Sequence, residues 1–334
     1  MESPEFWHHD DMSKQKINLK AILSGLFLIV VLATVNGQSK NRNDELVFHE
    51  FNHQDTSVDA YRFIRSFLQN KRVVGLAEVS HGTQEFYVAK SALSKYLIQE
   101  LGFKQLAFEM DEQMAKRVNQ YVQDRSSETI ADDLRGYGLY DSKELLALLK
   151  WVKSYNEQQK DRSEKVRIIG FDSQEYWLDP MRRDRLMSKQ LLDQMGTEKT
   201  ILWAHQSHLV KSDTWDVGQS GVKAMGNYIA AAVGDDYYLI TFDTQEGKLS
   251  ALDNGELAVC HFKMNKSLLH PELDQYFVEF SQLDDPLMHE LSHLSSERIQ
   301  EPTTSRVRLG VDLDALFFIR STSASIPIEK SEKR

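Results

Sequence analysis

Short apolar runs that end abruptly on a polar residue alternate along this chain with longer stretches of helical spacing. Val73-Val74-Gly75-Leu76-Ala77 is a β-branched run of the kind that forms a buried strand, and it breaks into Glu78-Val79-Ser80-His81-Gly82. Phe86, Ala89, Leu93, Leu97 and Leu101 then recur at helical spacing until Gly102 supplies the stop. Phe103–Phe108 reads as a second strand ending at Glu109, and a helix follows over Asp111–Val122 with Ala115, Val118 and Val122 inward. Ser126–Tyr140 is polar and reads as a loop with one short helix. Ser142 caps a helix striped by Leu145, Leu146, Leu149 and Val152.

The alternation continues downstream. Val166–Phe171 ends at Asp172, the charged stretch Asp179–Met195 is helical, and Thr200–Ala204 ends at His205. A helix near Ser220–Val233 leads to a strand over Tyr237–Phe242. Gly247 and Asn254-Gly255 mark turns, the second with hairpin chemistry. The spacing predicts helices over Leu273–Leu283 and Leu287–Leu294, a loop over Glu301–Arg306 and a last strand over Ala315–Ile319. Ahead of the first strand, Tyr61, Ile64, Phe67 and Leu68 share one face of an amphipathic helix. Strand–helix alternation of this kind builds βαβ units, so the expected fold is α/β. It would have a mostly parallel central sheet flanked by helices, and a helical layer over the cleft at the strand C-terminal ends.

Composition narrows the function. With 41% hydrophobic residues, 27% charged and 6 Pro, the chain can fill a globular core, which confines disorder to its ends. A formal charge of −10 with no basic stripe argues against nucleic acid. The single cysteine, Cys260, excludes a disulfide framework and a cysteine-based zinc site, and LAVCHFK reads as a strand in which it is a core residue. At the N-terminus, Lys14, Lys16 and Lys20 precede an apolar run from Ala21 to Ala33, then Val35-Asn36-Gly37. Residues 1–37 are therefore expected to be a signal peptide, or an N-terminal membrane anchor if uncleaved, with Met12 a candidate start. Residues 38–334 would form one domain, secreted or periplasmic. His8 and His9 belong to the extension.

The polar residues that end the strands are the candidate chemistry. Glu78, Glu109, Asp172 and His205 each close an apolar run, His81 lies three residues past the first and His208 three past the last. Parallel strands present their carboxyl ends on one edge, so these side chains should converge in a cleft. Two chemistries are open to such a set. In a metal-free hydrolase His81 would take a proton from water, Glu78 or Glu109 would hold its tautomer, and His205 and His208 would bind the oxyanion or protonate the leaving oxygen. Alternatively, histidines and carboxylates would bind a divalent metal that acidifies the water. Ser80 and Ser207 adjoin the histidines, but neither sits in a G-x-S-x-G elbow.

Four ordered motifs carry a resemblance. Leu76-Ala77-Glu78-Val79-Ser80-His81-Gly82-Thr83-Gln84-Glu85-Phe86 is similar to the G-E-A-T-H-G-T-x-E-F opening of the erythromycin esterase family. Leu106-Ala107-Phe108-Glu109-Met110 resembles its second acidic strand, Gly170-Phe171-Asp172 its G-x-D strand, and Trp203-Ala204-His205-Gln206-Ser207-His208 its W-A-H-N-x-H motif. The likeness runs from about Val73 to Pro327, with Ala77, Gln206 and Ser207 as departures.

The resemblance implies a mixed α/β fold and hydrolysis of an ester or lactone by histidine-activated water, with no cofactor and no required metal. By position it makes His81 the base, surrounds it with the catalytic residues Glu78, Glu109, His205 and His208, and assigns Glu85 and Asp172 to substrate binding. The implied partner is a small-molecule ester or lactone, with macrolide inactivation the family's associated role. The chain is short between Asp111 and Ser142, where the helical layer shapes the pocket, so the macrolide substrate does not follow from the resemblance. Two other readings remain: a metal-dependent hydrolase, or a non-catalytic binding protein of envelope polysaccharide assembly.

Overall fold

The computed structural model describes residues 46–123, 129–212, 222–253, 255–294 and 302–329. The reading of residues 1–37 as a signal or anchor lies outside them. Among the described residues no helix is long and apolar enough to cross a membrane.

Among the described residues there are eleven strands: β1 (Phe48–Glu50), β2 (Val73–Glu78), β3 (Gln105–Asp111), β4 (Arg167–Asp172), β5 (Thr200–His205), β6 (Tyr237–Asp253), β7 (Glu256–Lys263), β8 (Gln275–Glu279), β9 (Leu287–His293), β10 (Thr303–Leu309) and β11 (Ala315–Thr322). The main sheet runs β1-β8-β11-β6-β2-β5-β3-β4, with β7 added to β6, and β9 and β10 form a separate antiparallel pair. From β11 to β4 every neighbouring pair is parallel. The α-helices are α1 (Arg65–Leu68), α2 (Gln84–Leu101), α3 (Glu112–Gln123), α4 (Ala131–Leu134), α5 (Lys143–Gln158), α6 (Pro180–Met195), α7 (Gln206–Leu209) and α8 (Met225–Val233). The architecture is mixed α/β, a mostly parallel central sheet flanked by helices. Every residue of β2 and of β5 is buried, as expected of parallel strands covered on both faces.

Three stretches depart from the expectation. Leu273–Leu283 and Leu287–Leu294 are not helices but contain β8 and β9, and the predicted loop at Glu301–Arg306 is largely β10. Leu287, Leu291 and Leu294 fall at helical spacing, yet β9 pairs residue by residue with β10, and tertiary pairing outweighs so short a periodic signal. The predicted helix carrying Tyr61 and Ile64 is mostly a 3-10 turn over Val58–Ile64. The strand expected over Tyr237–Phe242 runs on to Asp253 and returns as β7, with Asp253 paired to Glu256 across the hairpin.

Two glycines shape the carboxyl edge of the sheet. Gly82 has φ +66°, and a Cβ there would drive into the Ser250 carbonyl, because the β6–β7 arm lies against this turn through Ser250 N–H→Gly82 O at 2.8 Å. Gly170 lies opposite an irregularity in β3, where register with β4 shifts between Phe108 and Asp111; an added Cβ would meet the Met110 carbonyl. Gly82→Ala is expected to cost more than about 2 kcal/mol, combining strain at positive φ with a backbone clash. Chemical denaturation checks this, and an unchanged midpoint would show that the arm yields freely.

Candidate active site

β2, β5 and β3 are consecutive neighbours, and this ordering gathers the site. Glu78 and His205 are paired across β2 and β5, and Phe108 is paired with Trp203 across β3 and β5, which puts Glu109 on the same edge. The turn after β2 swings His81 back over Glu78, with His81 Nδ1 2.8 Å from Glu78 Oε1. A carboxylate accepts only, so Nδ1 carries the proton and Nε2 presents its lone pair. Nε2 lies 3.9 Å from Glu109 Oε2, too far for a hydrogen bond, and the side chain keeps 24% of its surface exposed. His81 is thus an imidazole pinned at Nδ1, partly exposed, with no hydrogen-bond partner at Nε2 among the described residues.

Behind Glu78 sits a cation. Lys90, fully buried on α2, pairs with Glu78 Oε2, and its ammonium lies 4.2 Å from the centroid of the Trp203 ring. Burial pulls the Lys90 ammonium down to about 8 although Glu78 opposes the shift. Lys90 is therefore charged at neutral pH and balances Glu78.

Glu109 anchors the second half of the site. Its Oε1 accepts from Arg183 Nη2 at 2.9 Å and lies 3.2 Å from His208 Nε2, while Oε2 accepts the His205 backbone N–H at 3.0 Å. Burial alone would push this carboxyl up, but His208 and Arg183 hold it well below the usual carboxylate range. His208 Nδ1 meets Asp184 Oδ1 at 2.8 Å, and Asp184 Oδ2 accepts the Met225 N–H at 2.9 Å. Burial opposes charge on this imidazole as well, yet Asp184 and Glu109 raise its pKa to about 10. His208 is an imidazolium flanked by two carboxylates. The Tyr140 hydroxyl donates to the Glu109 carbonyl at 2.5 Å.

The charge on His208 gives a pH signature. Its folded-state pKa of about 10 exceeds the unfolded value near 6.5, so protonation favours folding. That contribution is complete below about pH 6.5 and is lost as pH rises toward 10. The stability advantage of the wild type over His208→Gln should therefore shrink by up to about 1.4 kcal/mol per pH unit across that window. Denaturant titrations at several pH values measure it; a pH-independent difference would mean that His208 is neutral.

The structure brings Glu78, His81, Glu109 and His208 together. His205 adjoins them, with its ring centroid 5.2 Å from that of His81, but both its nitrogens are engaged. Nε2 donates to the Val79 carbonyl at 3.2 Å, and Nδ1 accepts from Ser207 N–H at 3.3 Å, with Ser207 Oγ at 2.8 Å. Both ring nitrogens of His205, expected to bind the oxyanion or protonate the leaving oxygen, are thus taken up inside the protein. Asp172 is buried, and it accepts from Arg183 Nη2 at 2.8 Å and Trp177 Nε1 at 2.9 Å. Glu85 lies outside the group, where its carboxylate accepts the Ser323 N–H at 2.7 Å and ties down the chain after β11. Among the described residues no set of three or more His, Cys, Asp or Glu side chains is arranged to hold a metal ion.

The sequence does not single out Lys90, Asp184 or Tyr140, and it offers Arg183 only within the cluster Arg182, Arg183 and Arg185, which reads as a solvated helix face or a contact to an anionic substrate. A signal existed for two of them. Lys90 interrupts the apolar stripe of α2 between Ala89 and Leu93, and Asp184 occupies a buried position of α6 shared with Met187, Ser188 and Leu191.

The erythromycin esterase family model matches residues 98–180 and 177–322, more than half of the chain. The chain belongs to the erythromycin esterase family. Its relatives include erythromycin esterase type II of Escherichia coli, 30% identical over 132 residues, which are 39% of this chain and 30% of that protein. The putative hydrolase YbfO of Bacillus subtilis is 30% identical over 34% of this chain and 24% of its own length. The matches thus span less than a third of these relatives. In three dimensions, a succinoglycan biosynthesis protein superposes with a TM-score of 0.70 at 17% identity, covering 87% of this chain and 97% of that one. A histidine-to-asparagine mutant of the erythromycin esterase EreC in its open conformation superposes with a TM-score of 0.62 at 13% identity, covering 85% and 100%. At these identities the two structures bear on the fold alone.

Proposed function

We propose that this member of the erythromycin esterase family hydrolyses carboxylic ester or lactone bonds with His81 as general base. The observation that carries the reading is the geometry at His81: Nδ1 is fixed on Glu78, Nε2 has no hydrogen-bond partner among the described residues, and a network of paired acidic and basic side chains stands beside it. Water held at Nε2 would attack the ester carbonyl as its proton passes to the imidazole. Glu78, itself neutralised by Lys90, would stabilise the imidazolium so formed. Arg183 and His208, whose donors are already engaged by Glu109, Asp172 and Asp184, would act on the charge developing on the carbonyl oxygen through their field rather than as direct hydrogen-bond donors. As the tetrahedral intermediate collapses, the carbon–oxygen bond to the alcohol breaks and the proton on His81 goes to the departing oxygen. One water is consumed, giving an acid and an alcohol.

Names among the relatives put macrolide lactones on the list of substrates to try. Export from the cytoplasm rests on the charged and then apolar N-terminal stretch. The test is a screen of the purified protein against aryl esters, simple lactones and macrolides, with and without chelator. Mass spectrometry should show a gain of one water on a turned-over lactone, with rates indifferent to chelator. Loss of all rate with chelator would favour a metal-dependent mechanism instead, and no turnover anywhere would favour a binding protein.

A further inference from the structure

An apolar patch sits beside the ionised network. Trp177 is 61% exposed, Leu178 87% and Met181 48%, three large hydrophobics within five residues. The other exposed large hydrophobics among the described residues, Val47, Val259, Met288, Val311 and Ile326, stand far apart in sequence and are ordinary surface.

Topology places the patch on the working edge of the sheet. Trp177 and Leu178 belong to a 3-10 turn, Gln174–Leu178, that starts two residues after β4 ends at Asp172, and Met181 opens α6, which carries Arg183 and Asp184. A continuous path of hydrogen bonds ties it to the site. The indole N–H donates to Asp172, Asp172 accepts from Arg183, and Arg183 donates to Glu109, the carboxylate nearest His81 Nε2.

The patch is also held still. Arg183 lies over the Trp177 ring at 5.4 Å, the Tyr176 hydroxyl donates to Gln190 at 2.7 Å, and Ser173 caps the turn through Glu175 N–H. A solvent-facing indole fixed at its N–H and over one face loses little further freedom when a ligand settles on it.

From this continuity between an apolar surface on a pinned turn and a charged reaction edge, we propose that Trp177, Leu178 and Met181 bind the apolar part of the substrate, making this an enzyme for esters with a long alkyl chain. This rests on the hydrolase reading above and names its substrate class. The charged edge would take the ester group while the hydrocarbon lies along the patch, away from the ionised residues.

The test is a chain-length series of para-nitrophenyl esters from acetyl to octanoyl, run with the full protein and with the double variant Leu178→Ser/Met181→Ser. In the wild type kcat/KM should rise roughly two- to fourfold per methylene, chiefly through KM. In the double variant the octanoyl-to-acetyl ratio should fall by more than about tenfold. Equal ratios in the two proteins would overturn the proposal. If neither protein hydrolyses any ester, the catalytic reading fails by itself, and calorimetry with a non-hydrolysable octyl ketone then decides the patch. Binding at least about tenfold tighter to the wild type supports it, and equal binding removes it.

Discussion

Replacing His81 with Asn is expected to lower ester turnover by roughly 10²–10⁴-fold while the fold is kept, because it removes the imidazole nitrogen Nε2, the proposed base. Asn is smaller and its amide can still donate to Glu78, so the turn before α2 keeps its anchor. The loss should appear in kcat, with substrate affinity little changed, since a general base acts in the transition state. Circular dichroism and a denaturation midpoint within about 1 kcal/mol of wild type would certify folding. A folded variant at near-native rate would remove His81 from the chemistry.

The second large effect is expected at Lys90. Lys90→Met leaves Glu78 buried without its counter-ion, and breaking one side of a fully buried pair costs roughly 3–5 kcal/mol. Adding Glu78→Gln should restore much of that stability, because no unpaired charge then remains, while activity stays lost for want of the carboxylate that steadies His81. Additive stability losses in the two single variants and the double would show that the pair is not coupled. The same pair sets an alkaline limit. Lys90 loses its proton near pH 8 in the folded protein, so activity should fall above that pH. Lys90→Arg, which stays charged, should lift the limit if the variant folds.

The sequence revealed the sheet's parallel half more fully than its C-terminal half. Strands β2, β3, β4, β5 and β6 announce themselves as compact apolar runs because parallel strands are buried on both faces. β9 and β10 are half-buried and antiparallel and carry few apolar residues in a row, while β8, a short strand of QYFVE, takes its register from β11 about forty residues on. The candidate site shows a similar division. Glu78, Glu109 and His205 are legible as polar residues closing apolar runs, and His81 and His208 by their offset from them. Arg183, by contrast, sits among Arg182 and Arg185 in a stretch that looks like a solvated helix face. Only the fold shows that Arg182 and Arg185 point to water while Arg183 turns inward to Glu109 and Asp172. Lys90 and Asp184 were readable in principle, since an ion in a buried stripe demands a partner.

The account's central claim is that water held by His81 attacks the carbonyl directly. A single turnover in water labelled with heavy oxygen, with enzyme in excess over ester and the acid product weighed by mass spectrometry, tests it most directly. Direct attack predicts one labelled oxygen in the carboxyl group of the first-turnover acid. An unlabelled acid would mean that a carboxylate such as Glu78 or Glu109 had attacked the carbonyl and donated its own oxygen, which contradicts the role given to His81.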